Sequence, residues 1–331
     1  MDRALELVRL LADGGLHSGQ AIANELRMTR AGVWKTANKV RERLGLRIES
    51  VRGRGYRLDA PLDLLDAGRI LGALDPQAQT LIARLEIHDQ IDSTNARLMA
   101  EAQAGAPSGS VCVAEHQTAG RGRRGRVWVS PFGSNLSLSL LWRYPLAPAA
   151  LGGVSLAAGV AAARVLRDQG VQDLTLKWPN DLLWKRRKLG GLLLEVGGEA
   201  QGPSFLVAGL GINLRMPEEQ GRHIDQPWTD LASALGGRLP GRSDLTARLI
   251  AALGSALDCY GRLGLEPFLA DWEDFDGLRG EAVRLELGDR VIEGIHAGIA
   301  PDGALRLETA RGVQTFHAGE VRLRAAEASQ P

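Results

Sequence analysis

Cysteine is scarce: Cys112 and Cys259 are the two in a chain of 331 residues. They lie far apart and form no C-x-x-C pair, which argues against a disulfide framework or a cysteine-based metal site and fits a reducing compartment. The six histidines show no metal-ligand spacing. No Walker A pattern occurs, so a P-loop nucleotide site is excluded. No secretory leader is expected either, because Asp2, Arg3 and Glu6 interrupt the start. The one long uncharged run, residues 144–163, is mostly Ala, Gly and Pro, with few of the large apolar side chains that favour lipid. It is expected to be a buried small-residue helix, and the chain to be cytoplasmic with no membrane partner.

What is present is ordinary in bulk and uneven in arrangement. At 44% hydrophobic and 24% charged the composition is globular, and the length suggests two or three domains. Net charge is +1, but residues 1–60 hold 12 Lys/Arg against 7 Asp/Glu, while the remainder holds 28 against 32. A basic head on a mildly acidic body points the head at a polyanion.

Within the head, Ala4, Val8 and Leu11 recur at helical spacing and Asp13-Gly14-Gly15 stops the helix. Ser18 is an expected N-cap for a second helix burying Ile22 and Leu26. Thr29 is the N-cap of a third, with Val33, Ala37, Val40 and Leu44 as its apolar stripe. Two strands follow around Arg52-Gly53-Arg54-Gly55, where glycine permits a positive-φ turn and the arginines project. This pattern resembles a winged helix-turn-helix. Ser18, Thr29, Arg30, Trp34 and Lys35 would then face DNA, with Arg52 and Arg54 on phosphate or minor groove. A helical interaction domain with a solvated basic face is the plain alternative.

After a linker near Ala60-Pro61 and a connecting helix expected over Leu64 to Leu71, strands and helices mix, as in an α+β domain. Val111–His116 is an expected strand. Leu136, Leu138, Leu140 and Trp142 alternate with Ser137, Ser139 and Leu141, the signature of a strand with one buried face. Residues 120–125, GRGRRG, match the dinucleotide fingerprint G-x-G-x-x-G literally. That fingerprint must open a helix, whereas RVWVSPFGSNLSLSL follows and is strand-like. A Rossmann site is therefore rejected. What remains is a glycine-hinged arginine loop suited to carboxylate or phosphate. Helix is expected from about Asp244 to Asp274, and short strands over Glu281 to Arg324 with turns at Gly288-Asp289 and Pro301-Asp302-Gly303.

Four further motifs accompany the loop: Asp92-Ser93-Thr94-Asn95, Lys177-Trp178-Pro179-Asn180-Asp181, Lys188-Leu189-Gly190-Gly191 and Gly209-Leu210-Gly211-Ile212-Asn213. Each is weak alone; in this order the chain resembles the biotin–protein ligases, and the winged helix points to their bifunctional ligase/repressor class. The resemblance implies a winged helix at 1–60, a linker and connecting helix at 61–84, and a class II synthetase-like ligase domain with a mixed sheet at 85–276. It also implies an SH3-like barrel at 277–325 and a frayed tail at 326–331.

The activity implied is formation of biotinyl-5′-adenylate from biotin and ATP with Mg2+, then transfer of biotin to a lysine of the biotin carboxyl carrier protein of acetyl-CoA carboxylase. By resemblance, Ser93, Thr94, Asn95, Gln117, Gly120, Arg121, Gly122, Arg123 and Lys188 bind biotin. Arg121, Arg123, Asn180, Asp181, Asn213 and Trp228 bind ATP, and Trp228 covers adenine. Lys188, Arg121 and Arg123 are the catalytic residues implied, and Asp181 the candidate metal ligand. With the adenylate bound, homodimerisation through a strand at roughly Gly191–Val196 and operator binding at biotin synthesis genes are expected. A lipoate–protein ligase shares the central fold and adenylation chemistry, and a non-catalytic ligand-sensing transcription factor shares the two modules; both stay open at this stage.

Overall fold

A computed structural model describes residues 2–287, 290–317 and 322–325. The expected turn at Gly288-Asp289 and the tail at 326–331 lie outside them. The head begins with α1 (Arg3–Leu11), α2 (Gly19–Glu25) and α3 (Arg30–Leu44). Their starts are set by side-chain caps: Ser18 Oγ accepts from Ala21 N at 3.0 Å and Thr29 Oγ1 from Gly32 N at 3.1 Å. α3 ends at Gly45, whose left-handed φ of 67° lets its N–H reach Arg41 O. Every residue of the expected apolar stripes is buried.

Strands β1 (Ile48–Val51) and β2 (Gly55–Leu58) pair antiparallel. Gly53 has φ 73°, and at Gly55 a Cβ would stand 1.9 Å from His17 O, so the wing admits only glycine there. The head's core continues into the body: Phe132, 1% exposed, packs with the buried residues of the three helices.

A connecting helix exists but starts later than Leu64. Asp66 caps it by accepting from Arg69 N at 2.7 Å, so α4 is Ala67–Ala73. A second helix, α5 (Pro76–Leu81), follows, capped by Asp75 with proline in its first turn. The segment before α4 is tied down by a buried ion pair. Arg242 Nη1 lies 2.6 Å from Glu115 Oε2, with side chains 5% and 2% exposed. Glu115 Oε1 accepts from Leu65 N, and Arg242 donates to Asp63 O and Asn135 O.

The body is built on β3 (Arg84–His88), α6 (Thr94–Gln103), β4 (Ser110–Ala114), β5 (Asn135–Tyr144) and α7 (Val154–Asp168). It continues with β6 (Leu174–Lys177), β7 (Asp181–Trp184), β8 (Arg187–Gly198) and β9 (Ser204–Asn213). Then come α8 (Glu218–Gly221), α9 (Leu231–Ala234), α10 (Arg242–Leu263) and α11 (Leu269–Phe275). The seven strands form one sheet in the order β3-β4-β5-β9-β8-β7-β6, parallel at β3–β4 and antiparallel elsewhere.

The apolar run expected to be a buried helix is one: α7 packs against β6, β7, β8 and α10. The strand expected at Val111–His116 ends at Ala114, and residues 127–134 are irregular, with β5 starting at Asn135. β5 also departs from the one-faced reading, because Ser137, Ser139 and Leu141 are buried as well. Their side is covered by α6, whose Leu98 and Ala102 join Cys112, Leu141 and Val207 in a separate apolar cluster. Burial pushes the Cys112 thiol up to about 12, so it stays protonated and inert.

The C-terminal part is a five-stranded antiparallel sheet. Its strands are β10 (Ala282–Leu287), β11 (Arg290–Ile299), β12 (Leu305–Thr309), β13 (Gly312–Phe316) and β14 (Arg322–Ala325), in the order β13-β12-β11-β10-β14. It meets the body where Trp178 Nε1 donates to Gly303 O at 2.9 Å.

Candidate functional site

A cleft of about 1020 Å3 opens over one end of the sheet. Its lining takes residues from all five sequence motifs, which are spread over residues 92–213 of the chain and united only by the fold.

One wall is neutral and polar. Ser93 caps α6, its Oγ accepting from Ala96 N. Thr94 donates through N and Oγ1 to Gln117 Oε1 at 2.9 and 3.2 Å, and Gln117 Nε2 donates to Ser137 Oγ at 3.1 Å. Ser139 Oγ stands 2.7 Å from Thr94 Oγ1 and 2.6 Å from Asn95 Oδ1. Asn95 Nδ2 donates to Leu193 O and Glu195 Oε2. Such a mesh is preorganised for a neutral ligand that offers both donors and acceptors. Ser137 and Ser139 were not singled out from sequence; hydroxyls at i, i+2 within an apolar strand were the available signal.

The floor explains the glycines of GLGIN. A Cβ at Gly209 would stand 2.1 Å from Asn95 Oδ1, and one at Gly211 2.6 Å from the Trp128 ring. Trp128, on the cleft wall, is another residue that sequence reasoning missed.

The other wall is charged. Arg123 Nη1 donates to Asn180 Oδ1 at 3.2 Å, which pins the arginine loop to the KWPND turn. Burial draws the Arg123 guanidinium below its usual value and Asp181 partly offsets this. Arg121 is more open and lies 3.7 Å from Glu195. Gly122 N donates to Arg126 O and Trp128 N to Gly120 O, closing the loop on itself, while Gly120 stands behind the lining. Arg124 holds a left-handed φ of 56° at the loop's tip.

Lys188 Nζ stands 2.7 Å from Asp181 Oδ1, and Lys177 Nζ 3.1 Å from Asp181 Oδ2. Burial alone would raise the Asp181 carboxyl, but the Lys188 and Lys177 ammoniums outweigh it and hold it below the usual range. Among the described residues no cluster of three or more His, Cys, Asp or Glu could hold a metal ion.

Two expected nucleotide contacts stand outside the cleft lining. Asn213 is buried behind the cleft, donating to Thr229 O at 2.9 Å and accepting from Asn135. Trp228 is anchored by Lys188 N donating to Pro227 O and Thr229 N donating to Lys188 O, and its ring packs on Gly221. The rim at that point is made by residues 223–227 instead.

On the head, Ser18, Thr29, Arg30 and Lys35 are exposed, and Trp34 is 57% exposed at the start of α3. Arg52 and Arg54 are exposed at the wing's tip. Trp34 and the basic side chains beside it thus form an open face on a helix whose opposite face is packed.

The sequence pattern of the biotin/lipoate A/B protein ligase family matches residues 87–213, that of the biotin protein ligase C-terminal domain residues 279–324, and that of an HTH domain residues 3–57. The chain is similar to the bifunctional ligase/repressor BirA of Escherichia coli strain K12, at 42% identity over 98% of both chains. It is also similar to the biotin–[acetyl-CoA-carboxylase] ligase of Mycobacterium tuberculosis, at 35% identity over 72% of this chain and 88% of that one. Among solved structures, the biotin protein ligase from Aquifex aeolicus in complex with biotin and ATP superposes with a TM-score of 0.63. Its identity is 28%, covering 74% of this chain and all of that one.

Proposed function

Because the chain belongs to the family of bifunctional biotin–protein ligases and repressors, we infer that its cleft makes and shelters biotinyl-5′-adenylate and that its head reads that ligand's presence into DNA binding. It is a biotin–protein ligase and a DNA-binding repressor. The observation that carries the assignment of parts is the meeting, in one cleft, of the neutral Thr94–Gln117–Ser137 mesh with Lys188 and Arg123.

Biotin's ureido ring is neutral and belongs on the neutral wall formed by Ser93, Thr94, Asn95 and Gln117. Its carboxylate would then point at Lys188, with ATP along the arginine loop and Asn180. Carboxylate and α-phosphate repel one another, so the charge growing at phosphorus needs a fixed cation. Lys188, 18% exposed and held by Asp181, supplies one without reorganising. Arg121 and Arg123 would clamp the acyl-phosphate, and the loop would keep water from the mixed anhydride until the lysine of a biotin carboxyl carrier protein attacks its acyl carbon and AMP departs. Asn213 would act through the Thr229 segment it holds, next to Trp228, the residue read as covering adenine.

Asp181 does not fit a resident metal site, since both its oxygens already face ammoniums. Mg2+ would enter with the ATP phosphates.

The ligase domain, 85–276, fits a class II synthetase-like sheet, and the sheet within 277–325 fits a wall of an SH3-like barrel. The winged helix at 1–60 and linker at 61–84 complete the division. A cytoplasmic location is supported by free Cys112 and Cys259.

Beyond Gly191, the side of β8 away from β9 has no strand neighbour among the described residues, and Val196 is 40% exposed there. That free edge suits pairing with a second copy when the adenylate is bound. Two heads could then grip two operator half-sites with Ser18, Thr29, Arg30, Trp34, Lys35, Arg52 and Arg54. Sedimentation at matched concentration should show the mass double on adding biotin and ATP; an unchanged mass would remove the dimer.

The primary test is ATP–pyrophosphate exchange with biotin or lipoate as the acid. Exchange with biotin alone is expected. Exchange with lipoate would transfer the chain to the sister ligases, and exchange with neither would leave a sensor.

A further inference from the structure

Lys177 is absent from the residues assigned above, yet its placement is not that of a surface lysine. It is the last residue of β6, paired across the tight hairpin with Asp181, the first residue of β7. Lys188, near the start of β8, reaches the same carboxylate past a register shift between Leu182 and Leu183. Three neighbouring strands thus deliver two ammoniums to the two oxygens of one buried carboxylate, inside the cleft.

The triad leaves a surplus positive charge where an anion must bind. Neutralising Asp181 needs one lysine; the second is available. Seven arginines and lysines line the cleft against two carboxylates, Asp181 and Asp225, and Lys177 and Lys188 are the pair locked at a fixed separation by a shared partner. Adenylation has two places where negative charge must be met. A carboxylate oxygen forms a bond to the α-phosphorus, and the bond from that phosphorus to the bridging oxygen breaks, its electron pair leaving with pyrophosphate. One cation serves the reacting centre and another the leaving group.

We propose that Lys177 is a further catalytic residue, the cation that receives the departing pyrophosphate, while Lys188 serves the acyl-phosphate. This rests on the ligase reading given above. Asp181 holds both ammoniums in place before ATP binds and keeps Lys188 when Lys177 turns to phosphate.

Pyrophosphate takes part in the first half-reaction only, so the two halves should separate. The experiment measures ATP–pyrophosphate exchange and, separately, single-turnover transfer from preformed biotinyl-5′-adenylate to apo carrier protein, for the wild type, Lys177→Met and Lys177→Arg. For Lys177→Met, exchange should fall about 100-fold with a raised KM for pyrophosphate. Transfer should stay within about twofold of wild type, and Lys177→Arg should recover most of the exchange. Undiminished exchange in Lys177→Met, or an equal fall in both half-reactions, would make Lys177 merely the neutraliser of Asp181 and overturn the proposal. A wild type that performs neither half-reaction would instead overturn the ligase reading itself, so the two failures are distinguishable.

Discussion

Lys188→Ala should lower ATP–pyrophosphate exchange with biotin by about two to three orders of magnitude, and transfer from preformed adenylate should fall with it. The lysine is mostly buried, fixed by Asp181 at 2.7 Å and set by β8 beside both substrates' expected charges. A cation introduced from solvent would have to be ordered at the moment of reaction, which is the cost that preorganisation avoids. Folding should survive, because Lys177 still neutralises Asp181.

A pH signature accompanies this. Asp181 has a depressed folded-state pKa, so it contributes stability that is present above the ordinary carboxylate value and lost as pH falls through the depressed one. Removing Lys188 raises that folded-state value and shrinks the contribution. Acid unfolding of the variant should therefore begin at higher pH than in the wild type. Exchange retained within tenfold of wild type, in a folded variant, would remove Lys188 from the chemistry.

The second large effect is on stability. Arg242→Ala should cost about 3–5 kcal/mol, read from urea unfolding, because it strands the Glu115 carboxylate, 2% exposed, without its partner. It also removes the donors to Asp63 O and Asn135 O. Arg242→Met combined with Glu115→Gln should cost clearly less than the single change, since no bare charge is then left inside. A single variant within about 1 kcal/mol of wild type would show that solvent reaches the pair. The network grips the segment between head and body, so its loss should loosen the head as well.

The same region joins the two modules physically. Phe132 follows the arginine loop by six residues after Arg126, yet its ring completes the head's apolar core. Gly133 N donates to Glu115 O, and Arg9 pairs with Asp89 across the junction. Any ordering of the 120–126 loop over a ligand would therefore act on a segment whose end is embedded in the head.

The amino-acid sequence determined what depends on short spacing. The caps at Ser18 and Thr29, the apolar stripes of α1 and α3, the glycine wing and the small-residue helix α7 are all local patterns, and each was legible, whereas the five site motifs spoke only as an ordered set. Helix starts followed the capping side chains, which is why α4 began after Asp66 rather than at Leu64. Tertiary structure decided what depends on partners far along the chain. The serine face of β5 is buried because α6 crosses it, and nothing in the alternation of Leu and Ser distinguishes water from a covering helix. The Glu115–Arg242 pair spans 127 residues, and Thr94, Gln117 and Ser137 become one mesh only because α6 lies on β5. Period and capping are written within a few residues, whereas charge pairing across a sheet is set by topology, which brings distant residues into contact only once the chain has closed.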